Sequence, residues 1–180
     1  MSDKAITYGS IRPLEKRDAD GMLEWMGDGD VANWFQVDFS SFGIAEAERF
    51  IEESAETTES RHFAITDQND AYLGTVSLKH IDMVNRSAEY AISTRRCAHG
   101  TGAAYGATID VLRYAFEELH LHRVFLDVRA DNTRAIAFYD KVGFLREGVS
   151  RDGMANKGGA GFVDLIWFSM LEEDFSPSRR

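Results

Sequence analysis

The chain has 180 residues, 44% of them hydrophobic, which suits one domain with a buried core, and nothing in the composition divides it in two. Thirty acidic residues against 20 Lys and Arg give a formal net charge of −10, which argues against nucleic acid or an anionic membrane as a partner and fits a cationic one. Cys97 is the only cysteine, which excludes an intrachain disulfide and a thiolate zinc cluster.

The opening MSDKAITYGS has no apolar signal core, and no apolar run is long enough for a bilayer, so a cytoplasmic location is expected. Pro13 and Pro177 mark the edges of the fold, with residues 1–5 and 176–180 expected to fray. A short strand at Ile11 to Leu14 leads to a helix N-capped by Asp18, with Met22, Leu23, Trp25 and Met26 on its apolar face; Gly27-Asp28-Gly29 ends it. A second helix, Ile44 to Ala55, buries Ile44, Ala47, Phe50 and Ile51 and turns a solvated acidic face outward.

Strands are expected at His62 to Thr66, at Tyr72 to Leu78 after the turn Asp67 to Asp70, and at Ala88 to Thr94. A helix from Ala103 to Leu119 carries the stripe Ile109, Leu112, Ala115, Phe116 and Leu119. There follow a strand at Arg123 to Val128, a helix at Thr133 to Lys141, a strand beginning at Phe144, and an aromatic last strand, Phe162 to Met170. This order predicts an α/β domain with a mixed central sheet and helices on both faces.

His99-Gly100-Thr101-Gly102-Ala103-Ala104 joins a strand to a helix. Amides at a helix start lack intrahelical partners and carry the positive end of the macrodipole, so such a loop can hold a pyrophosphate without a basic side chain. Two glycines can equally serve only as a tight turn. The endings required by a phosphate-loop NTPase or a dinucleotide fold are missing. Further on, Asn132 is the natural N-cap of a helix that packs Ala135, Phe138 and Val142 inward, and Gly143 closes it. Tyr139 alone is left without a structural role beyond that of a core tyrosine with a bonded hydroxyl.

The loop resembles the acetyl-CoA signature of the GNAT superfamily, Gln/Arg-x-x-Gly-x-Gly/Ala, with Gly102 and Ala104 in the small positions and His99 as a departure in the first. Asn132 to Phe144 is similar to that family's Asn-x-x-Ala-x-x-x-Tyr-x-x-x-Gly-Phe segment. The resemblance implies one GNAT domain with splayed parallel strands, using acetyl-CoA as co-substrate and no metal; the His120-x-His122 pair matches the family's ordinary helix-to-strand turn. It further implies cofactor contacts from Ile92, Ser93 and Thr94, from His99, Gly100, Thr101, Gly102, Ala103 and Ala104, and from Asn132, Phe138, Tyr139 and Lys141. Tyr139 would protonate the departing thiolate. Glu89, on the face of its strand that also carries Ser87, Ala91 and Ser93, is the candidate base, and otherwise an ordinary surface carboxylate.

The acceptor would be a primary amine on a protein N-terminus, a polyamine or an amino-sugar nucleotide, since the N-terminal half resembles the branch holding those acetyltransferases. The loop Gly27 to Gly43 would border its pocket, with Trp34 and Phe35 as stacking walls and Asp28, Asp30 and Asp38 attracting a cation. A non-catalytic acyl-CoA-binding sensor is the alternative. A homodimer through an exposed edge at Phe162 to Phe168 is a further expectation.

Overall fold

The computed structural model describes residues 10–176, so the expectations for residues 1–5 and for Pro177 onward lie outside the described residues. The strands are β1 (Ser10–Pro13), β2 (Arg61–Thr66), β3 (Tyr72–Asp82), β4 (Ser87–Thr94), β5 (Arg123–Arg129), β6 (Leu145–Ala155) and β7 (Phe162–Leu171). The helices are α1 (Ala19–Gly27), α2 (Gly29–Ala32), α3 (Ile44–Glu56), α4 (Ala103–Arg113) and α5 (Thr133–Val142). One seven-stranded sheet runs β1-β2-β3-β4-β5-β7-β6, antiparallel throughout except for β4 against β5.

Strand alternation places helices on both faces, as expected. In β2, Ala64 packs with Met22 and Trp25 of α1 and with Ala47 and Ile51 of α3, whereas its neighbour Ile65 joins Ala107, Val111 and Leu112 of α4 and Val142 of α5. Among the described residues no helix is long and apolar enough to cross a membrane.

Several elements depart from expectation. Asp18 does not cap α1 with its side chain. Its carboxylate is buried, accepts both terminal nitrogens of Arg12 at 2.8 Å, and also accepts the Glu15 amide at 2.8 Å. A charge taken out of water needs such a fork, and only the fold brings β1 beside it. Ile44 is exposed, because it sits at the first helical position where the chain is only entering the packed layer. The stripe from Ile109 to Leu119 stays inward, but the helix widens into a π turn over Tyr114–Glu118, with the Leu119 amide donating to the Tyr114 carbonyl at 3.0 Å. The aromatic β7 is not an edge. It lies between β5 and β6, and its residues Phe168 and Met170 are buried; the edges of the sheet are β1 and β6, and on β6 Leu145 and Val149 are exposed.

Candidate active site

β4 and β5 pair at Ser87–Arg123, Ala88–Val124 and Glu89–Phe125 and then part. β5 continues along β7 as far as Arg129–Leu165, and β4 along β3 as far as Thr94–Gly74. The side of β4 facing β5 therefore has no strand partner from Tyr90 to Thr94, and its backbone groups there are available to an extended ligand. Gly74 holds β3 close behind this segment: a Cβ at that position would stand 2.3 Å from the Ser93 carbonyl oxygen.

The gap opens into a cavity of about 420 Å³. His99, Ala104, Asn132, Arg134 and Ala135 line it from the start of α4 and of α5; Ile92, Ser93, Thr94, Phe138 and Tyr139 line it along the strand gap. Asp30, Val31, Trp34, Phe35, Gln36, Lys79, Glu89, Tyr90, Ala91, Asp127, Val128, Arg129 and Met154 complete the wall.

The start of α4 is shaped by glycine. Gly100 and Gly102 have φ of 76° and 88°, the left-handed region that other residues avoid. The Thr101 hydroxyl accepts the Ala103 amide at 3.2 Å, while no acceptor for the Gly102 or Ala104 amide occurs among the described residues. Those two free amides at a helix N-terminus fit an anionic group. Burial, then Arg134 and Arg96, push the His99 pKa below its ordinary value, and Arg134 is the arginine that lines the cavity beside it.

Tyr139 and Tyr90 meet edge to face, with centroids 6.1 Å apart, yet their hydroxyls differ. Tyr90 pairs with the Thr108 hydroxyl at 2.7 Å, whereas Tyr139 makes no hydrogen bond among the described residues. No fully buried polar side-chain atom among those residues lacks a partner, so the Tyr139 hydroxyl opens on the cavity. Burial, then the charge of Asp127, raise its pKa above the ordinary phenol value.

Glu89 stands opposite Lys79 in the β3–β4 ladder, with Oε1 2.6 Å from its ammonium. A bulge after Lys79 gives His80 a φ of 49° and turns its ring back, so that Nδ1 lies 2.8 Å from Glu89 Oε2. Burial pushes the Glu89 pKa up, but Lys79 and then His80 outweigh it, and the net shift is downward. Asp127 shifts upward, through half-burial first and the charge of Glu89 second, only partly offset by Lys79.

The family described as acetyltransferase (GNAT) domain matches residues 10–145. The chain belongs to the GNAT acetyltransferase family. It is similar to an uncharacterized N-acetyltransferase, p20, of Bacillus licheniformis, with 27% identity over 93% of this chain and 94% of that one. It is also 29% identical to a spermidine N(1)-acetyltransferase of Vibrio cholerae over 77% and 80% of the two chains. A crystal structure of the Vibrio cholerae spermidine N-acetyltransferase with CoA and spermine superposes with a TM-score of 0.82 over 92% of this chain and 96% of that one, at 24% identity, a likeness of fold. As a member of the GNAT family this chain uses acetyl-CoA as its co-substrate.

The structure brings Trp34, Phe35, Glu89, Ile92, Ser93, Thr94, His99, Ala104, Asn132, Phe138 and Tyr139 onto one cavity wall. Gly100, Thr101, Gly102 and Ala103 stand beside it and shape the turn, and Lys141 faces away, its ammonium 5.6 Å from the Tyr105 ring centroid. Asp28 and Asp30 are not free to attract a cation: Arg96 binds both, at 2.7 and 2.5 Å. Asp38 accepts the Ser40 amide at 2.9 Å. Cys97 is exposed and off the cavity wall. Sequence reasoning missed Asp127, Arg129 and Arg134. For Asp127 a signal existed, an acid on the strand face it shares with Arg123, Phe125 and Arg129, opposite the apolar face of Val124, Leu126 and Val128.

Proposed function

We propose that the whole chain acts as one catalytic domain that moves acetyl from acetyl-CoA to a primary amine by direct attack, with Glu89 as base and Tyr139 as proton donor. The unpaired Tyr139 hydroxyl facing the strand gap carries this reading; a purely structural tyrosine at such burial would be bonded, as Tyr90 is.

The backbone of Ile92 to Thr94, the Gly102 and Ala104 amides and Asn132 bind the co-substrate, which supplies the acetyl group as a thioester. Asn132 spends Oδ1 on the Ala135 amide at 3.1 Å as the cap of α5, and keeps Nδ2 for the ligand. The acceptor enters as its ammonium; Glu89, beside the largely exposed His80, takes the proton that the nitrogen sheds before it attacks and returns it to solvent, and the second N–H proton is lost as the C–S bond breaks and ends on the departing thiolate. Tyr139 donates toward the sulfur as the C–S bond breaks. Its raised pKa makes full transfer to a thiolate, whose conjugate acid is an ordinary thiol of pKa about 8.5, uphill, so its contribution is a hydrogen bond to developing charge.

The acceptor lies among protein N-termini, polyamines and amino-sugar nucleotides, and the spermidine-acetylating relatives support an amine. Thiol release from acetyl-CoA with spermidine, an alanine-terminated peptide and a 4-amino-sugar nucleotide tests this. Turnover of one amine supports transfer; tight acetyl-CoA binding with silence across a broad amine panel returns the sensor alternative.

A further inference from the structure

Charges around the Glu89 side of the cavity are already matched, with one exception. Glu89 lies between Lys79 and His80, Arg129 binds Asp131 at 2.8 Å, and Arg96 takes Asp28 and Asp30. The Lys157 ammonium closes on the carbonyls of Ala32 and Val37 at 3.0 and 3.3 Å. Asp127 is half-buried on the cavity wall and has neither a hydrogen bond nor an ion pair among the described residues. A carboxylate withdrawn from water with no partner is costly, and a cation placed against it relieves that cost.

We propose that Asp127 receives the ammonium of the acceptor, and that the acceptor carries a single ammonium on an apolar or aromatic body instead of being a polyamine. This rests on the reading of the chain as an amine acetyltransferase and names its substrate class. One free carboxylate matches one cation. The second and third ammonium groups of a polyamine would meet Lys79 and Arg129 on the cavity wall, with no unmatched carboxylate beside them, while Trp34, Phe35 and Met154 offer apolar wall. Burial and the neighbouring Glu89 charge disfavour the Asp127 anion, and the attraction of an ammonium placed against it offsets both.

The test is calorimetric titration of the CoA-loaded protein with phenethylamine and with spermidine, for wild type and Asp127→Asn, with acetyl-CoA affinity as the check that the variant is folded. Phenethylamine is expected to bind wild type at least as tightly as spermidine, and Asp127→Asn to weaken it roughly 10- to 100-fold, the range for a lost charge-assisted hydrogen bond. Tighter binding of spermidine to wild type overturns the proposal whatever the variant does, as does absence of phenethylamine binding or unchanged affinity in a folded Asp127→Asn. Thiol release measured in parallel separates the two readings. Asp127-dependent binding without release from acetyl-CoA sinks transfer and keeps the site, whereas faster release with spermidine sinks the site and keeps transfer.

Discussion

Replacing Tyr139 with Phe removes one oxygen and nothing else that the fold uses. The ring keeps its contacts with Tyr90 at 6.1 Å, Phe144 at 5.9 Å and Phe168 at 5.7 Å between centroids, and no hydrogen-bond partner is orphaned, because the hydroxyl has none among the described residues. Stability should therefore stay within about 0.5 kcal/mol of wild type, unlike Tyr139→Ala, where the cavity would cost roughly 3–5 kcal/mol. Turnover should fall about 10²- to 10³-fold, roughly 2.7–4 kcal/mol of barrier, since the group that meets the departing sulfur is gone. The assay is kcat from thiol release at saturating amine, paired with thermal melting and acetyl-CoA affinity. A loss below tenfold would show that Tyr139 does not serve the sulfur. A drop of several degrees in Tm would show that the hydroxyl is bonded within the fold, and the argument from its open position would fail.

Other substitutions probe the remaining links. Because the Glu89 pKa is held down by Lys79 and His80, the group stays ionised through the ordinary carboxylate range and loses base function only below it. Glu89→Gln should thus show its largest deficit in kcat/KM near pH 6, narrowing toward the acceptor's own pKa, where neutral amine becomes abundant; a deficit constant across that range removes Glu89 as the base. Arg12→Ala would leave the Asp18 carboxylate buried without its fork, at a cost of about 3–5 kcal/mol in denaturant unfolding, and a change under 1 kcal/mol would mean that water or another cation replaces it. Gly74→Ala forces its methyl against the Ser93 carbonyl, so the strand pair must shift; we expect a loss of roughly 1–3 kcal/mol and a raised KM for acetyl-CoA, measured together, and an unaltered KM would separate β3 packing from the binding strand.

Much of the fold was legible because its signals are local. Period-two and period-3.6 patterns placed the sheet strands and the major helices, and the cap by Asn132 and the left-handed Gly143 were fixed by residue chemistry. The short α2, the π turn and the extension of β3 through a bulge were not legible, since each is decided by packing against elements distant in the chain. The same division runs through the site. Tyr139 and the glycine loop stood out as residues in a pattern, but the partners that define Glu89 come from the neighbouring strand and its bulge, and Asp127 became notable only when the surrounding charges were seen to be matched elsewhere.

By itself the sequence determined the order of elements, the family resemblance and the residues able to meet a thioester, because those depend on neighbours within a few positions. Only the tertiary structure decided which strand forms the edge, which acidic side chains are already bound, and which carboxylate is left for a ligand. Electrostatic pairing acts through space over a few ångströms, and the residues that compete for each charge are separated by tens of positions along the chain.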